Sequence, residues 1–215
     1  MAVPSKRVVI PLAALLFVAS ACGAAYAFGF PPFERRGDIT ASEVCESLGR
    51  SAKVVPALKG SLPSDTEYRF ENRLSGRDIT SESSDYTADC LVRGKAGLLL
   101  SSRTEMILTE TTESSASDVR SWATAALDTR ETAIEDFDAG TAGVTAPRKA
   151  AILVPCASPG RIPGGAYSLS VVVDLKRQPE SRESAIRQDL IDLAVSAARF
   201  SHSKAKCDLP SKLPG

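Results

Sequence analysis

The sequence predicts an α+β protein: an N-terminal transmembrane helix followed by one exported domain with an antiparallel sheet packed by two or three helices. Three observations predict this. Residues 8–30 form an uncharged apolar run. Several later segments alternate apolar with polar residues, and others carry apolar residues at helical spacing. The 26 basic and 26 acidic residues and the 43% hydrophobic fraction are typical of a globular protein and give no support for nucleic-acid binding.

The apolar run decides where the chain resides. Its 23 residues would form a helix of about 34 Å, against a hydrocarbon core of about 30 Å. Lys6 and Arg7 precede the run, and short basic flanks stay on the cytoplasmic side. We therefore expect a single-pass protein of the cell membrane, with residues 1–7 cytoplasmic and the chain beyond linker 31–39 extracytoplasmic.

Two other interpretations of the same run stay open. Residues 19–22, Ala-Ser-Ala-Cys, resemble a lipoprotein signal in which Cys22 would carry the lipid. Residues 25–27, Ala-Tyr-Ala, have the small-x-small pattern of a signal-peptidase site, which would give a secreted protein. All three interpretations export the remainder of the chain.

The exported domain is expected over residues 40–208. Thr40 and Glu43 form a capping-box pattern, which predicts a helix from about Ala41 that ends at Gly49. Residues 54–58 add a short turn. Alternating residues then predict strands at 68–74 and 86–92, and after a turn at 94–95 the segment 96–108 is predicted to supply another strand.

A second helix is predicted to start at Ser115, with Asp118 completing its cap. Its expected apolar stripe runs through Val119, Trp122, Ala126, Ala133, Ile134 and Phe137. Trp122 is the only tryptophan, and its spacing favours core packing over a sugar-stacking platform. The small residues of 138–147 predict a loop, which in one interpretation divides the domain into halves 40–138 and 148–208.

The remaining segments repeat the pattern. Strands are predicted at 150–155 and 167–175, joined by a glycine- and proline-rich loop at 157–165. Ser181 opens a last helix, and residues 209–215 form a flexible tail. The apolar face of that helix consists of Ile186, Leu190, Leu193 and Ala197.

Four cysteines lie in the exported part, and in an oxidising compartment they predict two disulfides. They are Cys45, Cys90, Cys156 and Cys207. Of the three connectivities we prefer Cys45–Cys90 with Cys156–Cys207, because each pair would tie a helix to a nearby strand. A zinc site would lack a Cys-x-x-Cys pair and would have only His202 to help, so no metal and no cofactor is expected.

Catalytic motifs are absent from the sequence: no P-loop, dinucleotide fingerprint, nucleophile elbow or metalloprotease motif occurs. Glu131 and Glu135 share one face of the second predicted helix, as an acid–base pair or a calcium site could. A solvated helix face is the favoured interpretation. We therefore expect no enzyme, with an envelope hydrolase or transferase using these carboxylates as the alternative.

The basic residues near the C-terminus offer a different kind of site. Arg199, Lys204, Lys206 and Lys212 could meet anionic lipid headgroups or an anionic wall polymer. Cations that simply face solvent or the acidic part of the domain are the favoured alternative.

The layout resembles small cell-envelope proteins of actinobacteria. The resemblance is carried by the single apolar N-terminal segment, the linker Phe30-Pro-Pro-Phe33, the segment Ile39-Thr-Ala-Ser-Glu-Val-Cys45 and the four-cysteine exterior domain. This family is known by its location, so the resemblance implies a compartment and no activity. The expected function is a non-catalytic binding or structural module of the cell envelope, in contact with an envelope protein or wall polymer.

Overall fold

The computed structural model of the 215-residue chain describes residues 36–109, 116–128, 134–177, 179 and 183–215. The predicted membrane segment, residues 8–30, and Cys22 lie outside these ranges. Within them, no helix is both long and apolar enough to cross a bilayer. Residues Gly37–Gly215 form one compact unit.

A seven-stranded sheet is the centre of the domain, and all its neighbouring strands run antiparallel. The predicted α+β class and antiparallel sheet are thus confirmed. The strand order is β1-β2-β3-β7-β6-β5-β4, so both halves that the sequence suggested contribute strands to one sheet. The strands are β1 (Arg69–Ser75), β2 (Thr87–Gly94), β3 (Gly97–Thr109), β4 (Glu135–Phe137), β5 (Ala142–Ala146), β6 (Lys149–Ile162) and β7 (Gly165–Leu175).

Among the described residues, three α-helices and two 3₁₀ helices pack around this sheet. They are, in chain order, a first 3₁₀ helix (Glu46–Leu48), α1 (Val54–Ser61), a second 3₁₀ helix (Ile79–Ser81), α2 (Ala116–Leu127) and α3 (Glu183–Lys204). The longest, α3, contacts α1 and strands β3, β6 and β7. The four residues predicted for its apolar face, Ile186, Leu190, Leu193 and Ala197, are fully buried.

The two faces of the sheet differ in what covers them. On the inner face, Val92, Val171 and Val173 are fully buried beneath the helices. On the outer face, β1 and β2 present charged residues, with Glu71 paired to Arg93 at 2.8 Å. The other end of the outer face is covered by α2. There a small apolar cluster forms from Ala123, Leu127, Val144, Ala146 and Ala151.

Two disulfides tie the periphery to the sheet. Cys45 pairs with Cys90 of β2, and Cys156 of β6 pairs with Cys207 just beyond α3. This is the connectivity preferred from the sequence. The sequence separations are 45 and 51 residues, and closing a loop of that size stabilises a fold by about 3–4 kcal/mol in the chain-entropy model.

The first predicted helix is wrong. The chain from Ala41 makes a turn, in which the Thr40 hydroxyl donates to Glu43 at 2.8 Å, and then only the short 3₁₀ helix. Cys45 is buried and bonded to β2, which fixes the path of the chain where a helix would have continued. The regular helix forms later, where residues 54–58 had suggested a turn.

The second predicted helix is too long. It ends at Leu127, and Asp128 follows in a left-handed conformation with φ +50°. Ile134 and Phe137 therefore do not belong to its stripe, since residues 135–137 form strand β4. Ala133 lies outside the described residues.

The loop predicted for the small-residue segment 138–147 is also wrong, because the segment contains strand β5. A Cβ on Gly143 would lie only 2.6 Å from the Phe137 carbonyl oxygen and 2.8 Å from its ring. Small residues therefore permit close strand pairing here. The glycine-rich segment 157–165 also differs from expectation, since β6 continues to Ile162 before the turn into β7.

The interface between α1 and α3 predicts a pH-dependent stability. Asp189 of α3 packs against Gly60 of α1. Burial, with the nearby negative charge of Asp192, raises the pKa of Asp189 from 3.8 to about 6. Because its pKa is raised, Asp189 favours the folded state when it is protonated. The stability that the protonated carboxyl group gives is fully present below pH 3.8 and is lost as pH rises through about 6.

We expect Asp189→Asn to unfold at higher urea concentration than the wild type above pH 6 and to show no gain near pH 4. After allowing for solvent screening, the gain is about 1 kcal/mol. Glu183→Gln on the same helix is the control, since Glu183 is exposed. An Asp189→Asn variant that is less stable than the wild type at about pH 8 would contradict the conclusion that the ionised carboxyl group of Asp189 destabilises the fold.

Candidate functional site

A groove of about 790 Å³ lies along the C-terminal half of α3. One wall is the N-terminal part of the domain around the first 3₁₀ helix, and the other is the end of α3 with the residues that follow it. The lining consists of Glu46, Gly49, Arg50, Ser51, Asp78, Ser196, Arg199, Phe200, Ser203, Lys204 and Lys206. We call this surface the cationic groove.

The position of α3 explains why its residues reach the groove. Ser196, Phe200 and Ser203 recur at the three- and four-residue spacing that keeps side chains on one helix face. That face adjoins the buried stripe of Leu190, Leu193 and Ala197, so packing the stripe on the sheet turns the neighbouring face toward the groove.

The charge of the groove is positive, with four basic side chains against two carboxylates. Asp78 pairs with Lys206 at 2.8 Å. Within the described part of the chain, no carboxylate lies within ion-pair distance of Arg50, Arg199 or Lys204. These three exposed cations therefore remain available to a ligand.

Asp78 is fixed as a structural anion. Its carboxylate accepts from the Thr80 backbone N–H at 3.0 Å and from Lys206. The ammonium of Lys206, together with Thr80, lowers the pKa of Asp78 to about 2. The contribution of this pair to stability is therefore present above pH 3.8 and is lost only as pH falls through about 2.

Close packing and disulfides hold both walls. Cys45–Cys90 anchors the first 3₁₀ helix to β2, and Cys156–Cys207 anchors the segment after α3 to β6. The Ile79 backbone N–H donates to the Ala205 carbonyl at 3.1 Å, which joins the second 3₁₀ helix to the same end of α3. The cations therefore stand on a rigid frame.

Two smaller cavities share lining residues with the groove. One, of about 370 Å³, shares Glu46, Gly49, Arg50 and Ser51 and extends toward Val44 and Val55. The other, of about 280 Å³, shares Asp78 and Lys204 and extends toward Leu74 and Arg77. The depression is therefore elongated, with cations at its centre, apolar side chains toward one end, and Arg77 beside Leu74 toward the other.

The structure places three of the four basic residues that the sequence analysis identified in the same groove. Arg199, Lys204 and Lys206 line the groove, whereas Lys212 does not. Sequence reasoning missed Arg50 and Asp78, which lie more than a hundred residues from α3. The positive φ of Gly49 and the disulfide at Cys45 place Arg50 there, and neither placement is visible from local patterning.

The candidate carboxylates do not form a pair on a helix. Glu135 lies in strand β4, where Arg187 of α3 binds its carboxylate, and Glu131 lies outside the described residues. The prediction that Glu131 and Glu135 share a helix face is therefore wrong, because Glu135 lies in a strand. Its neighbours Asp136 and Asp138 are exposed.

The other chemistry-bearing side chains have structural contacts. Cys45, Cys90, Cys156 and Cys207 are all used in disulfides. The His202 ring Nε2 is 2.8 Å from the Leu209 carbonyl oxygen and donates to it. Among the residues that the structure describes, no group of three His, Cys, Asp or Glu side chains is placed to hold a metal ion.

Gly49 offers a test of the groove wall. A Cβ at this position would lie 2.7 Å from the Ser196 hydroxyl and 2.9 Å from the Ser196 carbonyl oxygen, at a φ of +79°. We expect Gly49→Ala to cost about 2–3 kcal/mol of unfolding free energy, measured by urea denaturation, because strain and overlap add. Gly97→Ala is the matched control. Gly97 also has a positive φ but no atom within 4 Å, so only the strain of about 1 kcal/mol applies. Equal losses in both variants would show that the wall is not closely packed.

No family model, curated protein or solved structure matches this chain. The support for a function therefore comes from the charge, shape and rigidity of the groove.

Proposed function

We propose that this chain is a non-catalytic binding module at the outer face of the cell membrane, whose cationic groove binds an anionic polymer of the cell envelope. One observation carries the proposal: Arg50, Arg199 and Lys204 line a groove held rigid on both sides, and no carboxylate of the described residues pairs with them. Cations that have no internal partner can neutralise a ligand without first giving up an ion pair.

The residue types fit a phosphate or carboxylate ligand. The two arginines can each bind such a group through two parallel hydrogen bonds, and lysine supplies a compact point charge. Hydroxyl groups of Ser51 and Ser203 line the same groove and can donate to anionic oxygens. Because disulfides tie the backbone beneath these side chains, the main chain does not have to be reordered on binding, which favours affinity.

The shape of the depression favours a chain-like ligand over a compact ion. The groove continues into a cavity on either side through shared lining residues. A linear polymer can make contacts along this whole length, whereas a single phosphate can occupy only its centre. Once one charged group of the polymer is bound, the next is held close to the groove, so repeated charges on one chain bind together more tightly than separate ions.

The carboxylates in the groove support binding over catalysis. Lys206 keeps Asp78 ionised through a low pKa, so this carboxyl group is a poor proton donor near neutral pH. Glu46 is exposed on the opposite wall. Binding without chemistry is therefore the function that this arrangement serves best.

The location is supported by the sequence. The 23-residue apolar run after Lys6 and Arg7 and the two disulfides both favour export. Residues 8–30 serve as the membrane tether in this proposal, with lipidation at Cys22 or secretion as alternatives.

Export is tested with a reporter enzyme that is active only outside the cytoplasm, fused after Gly215. We expect activity in cells that express the full chain and none when residues 1–30 are removed. The intact mass of the membrane-extracted chain then distinguishes a retained, lipidated or cleaved N-terminus. A full-length fusion whose reporter stays in the cytosol would overturn the proposed location.

The groove is tested with a triple variant, Arg50→Gln, Arg199→Gln and Lys204→Gln. The probes are poly(glycerol phosphate), polygalacturonate and inorganic phosphate. We expect at least one polymer to bind more tightly than inorganic phosphate. The triple variant should bind that polymer about 10- to 100-fold more weakly, since exposed charge contacts contribute about 0.5–1 kcal/mol each. Its affinity should also fall less steeply with added salt.

The control carries the same loss of charge outside the groove: Lys95→Gln, Arg120→Gln and Lys212→Gln. None of these residues lines the groove, so the control should bind like the wild type. Equal weakening in the two triple variants would show that net charge alone attracts the polymer. Absence of binding to both polymers would overturn the proposed ligand class.

A further inference from the structure

A second cavity lies on the outer face of the sheet, away from the cationic groove. It has a volume of about 470 Å³ and is bounded by α2 on one side and by strands β3 and β7 below. We call it the tryptophan trough. Its lining consists of Ser101, Arg103, Glu105, Ile107, Trp122, Ala125, Ala126, Ser170, Val172 and Asp174.

The indole of Trp122 is held in a fixed orientation. Its Nε1–H donates to the Ser170 hydroxyl at 2.9 Å, and Ser170 is itself only 6% exposed. The ring also packs against the apolar cluster beneath α2. One part of the Trp122 side chain therefore packs in the core, while the remaining surface forms a wall of the trough. Fixing the polar edge of the ring leaves an aromatic surface for a ligand.

Charged and hydroxyl-bearing side chains form the rest of the trough. Arg103 and Glu105 lie two residues apart on β3, so their side chains share one face of the sheet. They pair at 3.4 Å, and their side chains are 66% and 45% exposed. Asp174 lies on the neighbouring strand, where Lys149 and Lys176 neutralise it. The trough therefore combines one aromatic wall with planar hydrogen-bonding groups of both signs and carries little net charge.

We propose that the tryptophan trough binds a neutral saccharide, with the sugar ring packed on Trp122 and its hydroxyl groups bound by Arg103 and Glu105. A pyranose has an apolar face of C–H groups and a rim of hydroxyl groups. An aromatic wall suits the face, and planar guanidinium and carboxylate groups each bind two neighbouring hydroxyl groups. A strongly charged ligand fits less well, because the charged residues here are already balanced.

The trough and the cationic groove lie on opposite faces of the sheet and share no lining residue. This inference therefore does not rest on the proposed binding of an anionic polymer. Each site can fail its own test without affecting the other.

Trp122 itself provides the measurement, because it is the only tryptophan in the sequence. The full chain is titrated with the tetrasaccharides of N-acetylglucosamine and of mannose while indole fluorescence is recorded. We expect a saturable change with at least one of them. Glu105→Gln and Arg103→Gln should each weaken that binding about tenfold, the loss expected from a hydrogen bond to a charged group.

The matched control is Glu71→Gln. Glu71 also lies on the outer face and also pairs with arginine, but it does not line the trough. This variant should bind the saccharide with the affinity of the wild type. The absence of a saturable change with either tetrasaccharide at about 10 mM would overturn the proposal, because even a weak site with a dissociation constant of about 1 mM would be nearly saturated at that concentration. Binding that survives both trough variants unchanged would also overturn it.

Discussion

The packing of α3 against the inner face of the sheet is the interaction on which the rest of the structure depends. Ile186, Leu190 and Leu193 are fully buried there, and burying side chains of this size contributes about 1.5–3 kcal/mol each. The same packing decides which helix face looks outward. Once the apolar stripe is packed on the sheet, Arg199 and Phe200 face the groove, whose opposite wall the Cys45–Cys90 disulfide holds in place.

The disulfides act at segments that lie next to α3, one at the first 3₁₀ helix, which α3 contacts, and one just beyond the end of α3. Cys90 and Cys156 are both fully buried in the sheet, and each holds a segment that has little regular structure of its own. The first 3₁₀ helix has three residues and the second also has three, too few to be stable alone. The Cys45–Cys90 disulfide fixes the first 3₁₀ helix to the sheet, and the hydrogen bond from the Ile79 N–H to the Ala205 carbonyl fixes the second to the end of α3. Both short segments are therefore held beside the groove.

The sequence predicted the parts of the fold that local patterning governs. Strands β2 and β7 alternate apolar with polar residues, β3 follows a Gly-Lys turn, and α3 repeats apolar residues at helical spacing, so each was recognised near its observed position. Cysteine pairing was also recognised correctly. The errors lie where tertiary contacts override local preference. The buried Cys45 prevents a helix that Thr40 and Glu43 could cap, and the pairing of β5 with β4 and β6 gives strand structure to a segment rich in small residues.

The candidate site was only partly accessible to such reasoning. Basic residues near the C-terminus stand out as a group in the sequence, and three of them line the groove. Arg50 and Asp78 have no neighbouring feature that marks them, because they reach α3 through the path of the whole chain. The position of Trp122 illustrates the same point. Helical spacing correctly indicated a packing role, but the arrangement of Arg103 and Glu105 on the adjacent strand required the sheet register.

The open sheet has a further consequence for how copies of this protein behave beside one another. Its edges are β1, which carries Arg69, Glu71 and Arg73, and β4, which is three residues long. Charged or very short edge strands resist pairing with a strand from another molecule. Copies of this domain at high local concentration would therefore resist joining edge to edge, although the described sheet is open at both ends.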